Sequence, residues 1–165
     1  MFDAQEHGKN VLRHVHDLLV GRGLKVFIRE EDNTCLVPIV INLGIFMLTF
    51  EWQANGQLLL CRSHYPVRVA KRRQRTFLQL LQEVAMRFVD GRFHLDQEGD
   101  LTFRMSYHCG EEMPTESAVQ HLFNICNAAV QCFHKVLFQA ACGVLTVNEA
   151  LQILARENEP KGGKT

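Results

Sequence analysis

Between Lys71 and Cys142 the chain lays out an amphipathic helix, an Asp90-Gly91 cap, a short β-hairpin and one long second helix. The hairpin constrains the fold most, because its alternation sets its own register. Phe93 and Leu95 alternate with Arg92, His94 and Asp96, while Leu101, Phe103, Met105 and Tyr107 alternate with Thr102, Arg104 and Ser106. If both apolar sets face one core, paired positions share parity and the loop holds an odd number of residues. Gln97-Glu98-Gly99 meets that condition and puts Gly99 at the left-handed third position such loops favour. The expected pairs are Leu95 with Leu101 and Phe93 with Phe103.

The flanking segments supply the remaining elements. A first helix is expected from about Glu6 to Val20, with Val11, Leu12, Val15, Leu18 and Leu19 on one stripe, and Gly21 and Gly23 ending it. Strands follow: Leu24–Arg29, a β-branched run from Cys35 to Asn42, then Ile45–Gln53 and Gln57–His64 flanking the hairpin signal Asn55-Gly56. Pro38 inside the second run calls for an edge strand or a bulge. Leu43 to Phe50 lacks clean alternation, which suggests a strand covered on both faces or a short buried helix. After Pro66 a helix is expected from near Ala70 to Val89, facing inward through Phe77, Leu81, Val84 and Phe88. The long helix, about Thr115 to Cys142, keeps its period through Val119, Leu122, Cys126, Ala129, Phe133, Val136 and Ala140. At ~1.5 Å per residue it is about 40 Å long, enough to cross a sheet. Thr146-Val147-Asn148-Glu149 reads as a capping box opening a last helix through Arg156.

These 165 residues fit one domain, able to bury roughly 70% of its unfolded surface. Domain limits of 1–157 are expected, with a polar, disordered tail over 158–165 that contains Pro160 and Gly162-Gly163. Eighteen acidic and eighteen basic side chains balance, which argues against a dedicated nucleic-acid binder. The longest apolar run, Leu43 to Phe50, is far shorter than the ~20 residues a bilayer crossing needs. The start, Met1 to His7, lacks the basic and apolar regions of a signal peptide. A cytoplasmic chain with six free cysteines is therefore expected.

The succession Phe88-Val89-Asp90-Gly91-Arg92-Phe93-His94-Leu95-Asp96, then Gly99-Asp100-Leu101, resembles the YbjN family. That family's comparable run is a helix ending in glycine, an aromatic-x-Leu-Asp strand, and a glycine turn into a second strand. The order helix, strands, helix, hairpin, long helix is also similar to YbjN proteins and the related type III secretion chaperones, over roughly Val11 to Ala155. The resemblance implies a small α+β protein that binds other proteins, often as a dimer, and it supplies no catalytic residues.

Several residue groups are candidates for contact or chemistry. Arg68, Lys71, Arg72, Arg73 and Arg75 crowd the start of a helix, where the macrodipole disfavours positive charge. They form either a solvated face or a docking patch for an acidic peptide or phosphate. The long helix carries Phe123, Ala128, Val130, Leu137 and Phe138 beyond its main stripe. That extra width fits either a broad core or a dimer or client-binding face. His14, His16, His108, Cys109, His121 and Cys126 match no structural-zinc spacing. Cys61, near His64 and the basic run, is the least poor candidate nucleophile, but their odd separation puts the two on opposite faces of a strand.

The expected fold is a single α+β domain: an antiparallel sheet of five or six strands with helices packed chiefly on one face. The expected function is a protein-binding module, chaperone-like or a regulatory adaptor, needing no cofactor, with a protein partner or client or a second copy of itself. Two alternatives stand beside it. One is anion or nucleic-acid binding through the 68–75 patch. The other is a cysteine- or metal-dependent enzyme.

Overall fold

A computed structural model describes residues 3–29, 31–42, 44–87 and 90–157 of the chain. The tail expected over 158–165, and the inward Phe88, lie outside these. Helix α1 (Ala4–Gly21) starts where the Asp3 carboxylate accepts from the backbone N–H groups of Gln5 and Glu6. It stops at Gly23, which is left-handed at φ 80°. Leu24 N–H then reaches back to the Leu19 carbonyl at 3.2 Å, the outer bond of a Schellman end.

Six strands follow: β1 (Phe27–Arg29), β2 (Thr34–Ile41), β3 (Gly44–Gln53), β4 (Leu58–Arg68), β5 (Arg92–Leu95) and β6 (Asp100–His108). They form one antiparallel sheet in the order β1-β2-β3-β4-β6-β5. Pro38 sits in β2, but β1 pairs only as far as Leu36, so β2 is locally an edge at the proline. The β5–β6 hairpin has the register its alternation demands, Phe93 opposite Phe103 and Leu95 opposite Leu101. Gly99 closes it at φ 89°. A Cβ there would come within 2.2 Å of the Val69 carbonyl, so the position needs glycine twice over.

The β3–β4 connection departs from expectation. Gln53 pairs with Leu58, and a 3-10 turn over Ala54–Gly56 precedes Gln57, which takes the left-handed conformation at φ 49°. Asn55-Gly56 therefore does not form a two-residue turn. The longer loop is tied to the end of β6: Cys109 N–H donates to the Gln57 carbonyl at 3.0 Å, and His108 Nδ1 lies 3.1 Å from the Gly56 carbonyl.

Helix α2 (Lys71–Ala85) ends four residues before the expected Val89. Helix α3 (Glu116–Cys142) is capped by the Thr115 hydroxyl, which accepts from Ala118 N–H, and is stopped by left-handed Gly143. Helix α4 (Val147–Glu157) opens on the expected capping box, with Thr146 N–H and Oγ1 each 2.8 Å from a Glu149 carboxylate oxygen and Glu149 N–H returned to Thr146 Oγ1. The core draws on all four helices and on one face of the sheet, around Phe50, Phe77, Phe103, Leu48, Leu122 and Leu137. At its edge Gly8 of α1 lies so close to Trp52 that a Cβ would fall 2.1 Å from the indole. The indole N–H donates to the Ala4 carbonyl at 3.0 Å.

Candidate functional site

In an antiparallel sheet, opposed residues share a face and successive residues alternate. Three hydrogen bonds mark the side the helices cover. Cys35 Sγ donates to the Leu12 carbonyl of α1, Ser63 Oγ to the Cys126 carbonyl of α3, and the Tyr65 hydroxyl to the Ala129 carbonyl. The register carries this side from Cys35 through Phe50 and Cys61 to Met105, and from Val37 through Leu48 and Ser63 to Phe103 and Phe93. Every strand residue of the core belongs to these rows and their continuations.

The intervening rows form a second face that the core leaves open. One row runs Leu36–Thr49–Arg62–Arg104–Arg92, the next Pro38–Met47–His64–Thr102–His94, and a third Thr34–Glu51–Leu60–Ser106. The β1–β3 half of this face is apolar from Phe27 and Leu36 through Pro38 and Met47 to Val40 and Ile45, with Thr34, Thr49 and Glu51 at its other end. Val40 and Ile45, opposite one another, are 77% and 63% exposed, and Phe27, opposite Leu36, is 57% exposed. Contiguous apolar surface of this kind marks contact sites in soluble proteins. The sequence expectation that the strand at 43–50 is covered on both faces is thus corrected. Phe46, Leu48 and Phe50 are buried, whereas Ile45 and Met47 face the open side. Alternation is lost there because the outer face is apolar, not because it is covered.

The β4–β6–β5 half is polar and basic. Arg62 Nη2 lies 3.1 Å from Glu51 Oε2. Thr49 Oγ1 bridges Glu51 Oε1 at 3.3 Å and His64 Nε2 at 3.1 Å, consistent with His64 donating to Thr49 and Thr49 to Glu51. Arg104 donates from Nε to Thr102 Oγ1 at 3.1 Å and from Nη2 to His94 Nδ1 at 2.9 Å. A guanidinium only donates, so His94 offers the Nδ1 lone pair. Burial, followed by the nearby Arg62 and Arg104, depresses the His64 pKa, with Glu51 opposing. Burial and Arg104 likewise depress that of His94. Arg62 Nε is inaccessible to solvent and has no hydrogen-bond partner among the described residues.

No family model matches the chain, and no curated protein matches it significantly. Solved structures do. The crystal structure of YbjN from E. coli, a candidate transcription regulator, superposes with a TM-score of 0.58 at 12% identity, over 81% of this chain and 93% of that one. The ExsC–ExsE complex gives 0.56 at 14% identity, over 79% and 96%. The HopA1–SchA chaperone–effector complex gives 0.55 at 14% identity, over 82% and 99%. The chain has the YbjN-type, chaperone-like fold. The resemblance read from the hairpin motif therefore holds at the level of fold.

On this YbjN-type framework the basic run at 68–75 does not form one patch. Arg68 makes a two-point bond with Asp100 at 2.8 and 3.0 Å, which raises the arginine pKa and lowers that of the carboxyl. Arg73 folds onto the end of α3, with Nη1 3.4 Å from the Ala141 carbonyl, where the helix dipole favours a cation. Lys71, Arg72 and Arg75 remain on the exposed side of α2. The wide face of α3 is likewise divided. Val130 and Leu137 are fully buried and unavailable to a partner, because α3 lies along the sheet with the other helices packed alongside. Phe123 is partly buried against the core, and Phe138 is 44% exposed.

The Cys61 thiol is fully buried on the helix side, and burial pushes its pKa well above the usual value, with a further contribution from Cys126. His64 lies on the opposite face, as its spacing requires. A thiol so placed lacks thiolate character and access. Among the described residues, no group of three His, Cys, Asp or Glu side chains could hold a metal ion. No described helix is long and apolar enough to cross a membrane.

The sequence pointed to helices chiefly on one face of the sheet, but not to the other face as a contact surface. Its apolar half left a signal in the lost alternation around Ile45 and Met47. For its basic half the hairpin register implies Arg92 opposite Arg104, but Arg62 joins them only through the β4–β6 pairing.

Proposed function

We propose that this chain is a non-enzymatic protein-binding module, a chaperone or a regulatory adaptor, that holds its partner on the open face of the sheet. The observation that carries the reading is that face itself. Six strands are covered on one side only, and the bare side is apolar over β1–β3 and basic over β4–β6–β5. The division matches what an amphipathic protein segment requires, an apolar anchor beside charged groups that set orientation. The solved chaperone–effector and ExsC–ExsE complexes have the same fold, which supports a protein as the partner. A second copy of the chain could occupy the same face. The six unbridged cysteines fit a cytoplasmic setting, where thiols stay reduced.

The test compares captures from the native cytoplasm by the wild-type chain and by Val40→Glu/Ile45→Glu. Both residues are highly exposed, so the variant is expected to keep the fold. Loss of specific partners in the variant supports the reading. An unchanged set of partners overturns it.

A further inference from the structure

The arginine row has a chemical meaning beyond contact. Arg62 stands directly opposite Arg104, and Arg104 directly opposite Arg92, so three arginine residues stand in one row across β4, β6 and β5. Like charges at directly opposed positions disfavour the sheet. The described residues supply one carboxylate to this row, Glu51 on Arg62, and no ion pair to Arg104 or Arg92. His64 and His94 flank the row and are held toward the neutral form by burial and by these same arginines. Arg92 and Arg104 also line a hollow of about 310 Å³ with Asp90, Gly91, Met105 and Ser106. It opens where the β5 pairing ends at Arg92 opposite Arg104, while β6 runs on to His108 with no β5 partner among the described residues. The side chain of Asp90, the one acidic group among the described residues lining the hollow, lies 3.4 Å from His121.

Resting on the proposed protein-binding role, we infer that the Arg62–Arg104–Arg92 row recognises carboxylates on an acidic segment of the partner, whose apolar residues lie on the β1–β3 half. Carboxylates would neutralise the unpaired guanidinium charge, and arginine offers the planar fork that pairs with them at two points. Among the described residues the row has no aromatic platform, which separates it from a surface for stacked bases.

The test uses a display library of random 12-residue peptides selected on the full-length chain, with each enriched peptide titrated against three proteins. These are the wild type, Arg92→Gln/Arg104→Gln, and Val40→Glu/Ile45→Glu. Thermal unfolding checks that each is folded. The expected peptides carry Asp or Glu beside apolar residues, and they bind the arginine variant about tenfold more weakly and with less salt dependence. Enriched peptides that lack acidic residues, or that bind the arginine variant as tightly as wild type, overturn the inference. If such peptides are still lost in the Val40/Ile45 variant, the open-face reading stands without it. Peptides insensitive to both variants, or no enrichment at all, overturn both. A labelled single-stranded oligonucleotide serves as the remaining arm. Its tight, arginine-dependent binding, with no acidic enrichment among the peptides, would assign the row to nucleic acid instead.

Discussion

Arg62 on β4 sits directly opposite Arg104 on β6, and of the two it is Arg62 that pairs with the Glu51 carboxylate. The pair places two cations at directly opposed positions of a partly buried surface, an arrangement that disfavours the sheet. Burial, with Arg62 next in effect, lowers the Arg104 pKa, the electrostatic trace of that crowding.

Replacing Arg104 with Gln should therefore cost the fold little. Relief of the opposed charges contributes about 0.2–1 kcal/mol, set against the loss of hydrogen bonds to Thr102 and His94. Urea unfolding is expected to give a stability within about 1 kcal/mol of wild type. A loss of several kcal/mol would mean that Arg104 is a structural residue.

Gly8→Ala tests the packing of α1 on Trp52. Helix propensity alone would make alanine stabilising by about 1 kcal/mol. The indole, however, occupies the space a Cβ needs. Overpacking of this kind costs about 1–3 kcal/mol, so the variant should unfold at lower urea. An increase in stability would show that α1 can shift away from Trp52 at little cost.

The histidines of the open face give the fold a pH dependence. In the folded chain the pKa values of His64 and His94 are depressed, chiefly by burial, whereas an unfolded histidine titrates near about 6.5. Between the depressed values and about 6.5 the unfolded chain binds more protons, so stability rises with pH through that window. The stability contributed by the neutral histidines is present above about pH 6.5 and lost as pH falls. Unfolding free energy should be lower at about pH 5 than at about pH 7.5, and His64→Gln/His94→Gln should flatten the slope. An unchanged slope in the double variant would remove these two residues from the account.

The cysteines should divide by access and acidity. Burial pushes the Cys35 thiol up to about 12 and Cys61 higher than usual, while Cys132 and Cys142 are exposed. Iodoacetamide on the native chain should label Cys132 and Cys142 and leave Cys35, Cys61 and Cys126 unmodified, as mass spectrometry of digests would read. Native-state labelling of Cys61 would reopen the case for a reactive thiol.

What was legible in the sequence was whatever a local pattern encodes. Parity placed Phe93 opposite Phe103, and Thr146 with Glu149 marked the start of α4. What was not legible depends on which side of an element finds a partner. The apolar residues Ile45 and Met47 read as buried because periodicity records where apolar side chains lie, not what covers them. Val130 and Leu137 read equally well as core or as contact surface, and the packing of the other helices against α3 decided for the core. Arg73 read as one of five bases, yet it serves the end of a helix that begins more than forty residues later. The arginine row combines residues of three strands, one before α2 and two after it; the hairpin register implies its Arg92–Arg104 pair, and no local pattern announces Arg62.

Site-specific photo-crosslinking in the native cell tests the central claim most directly, with a photoreactive residue placed at Ile45 in one protein and at Phe138 in another. Both positions are exposed, one on the open sheet face and one on α3. The account predicts a discrete crosslinked partner from position 45 and none from position 138. Crosslinks from position 138 alone would contradict it and return the binding surface to the long helix.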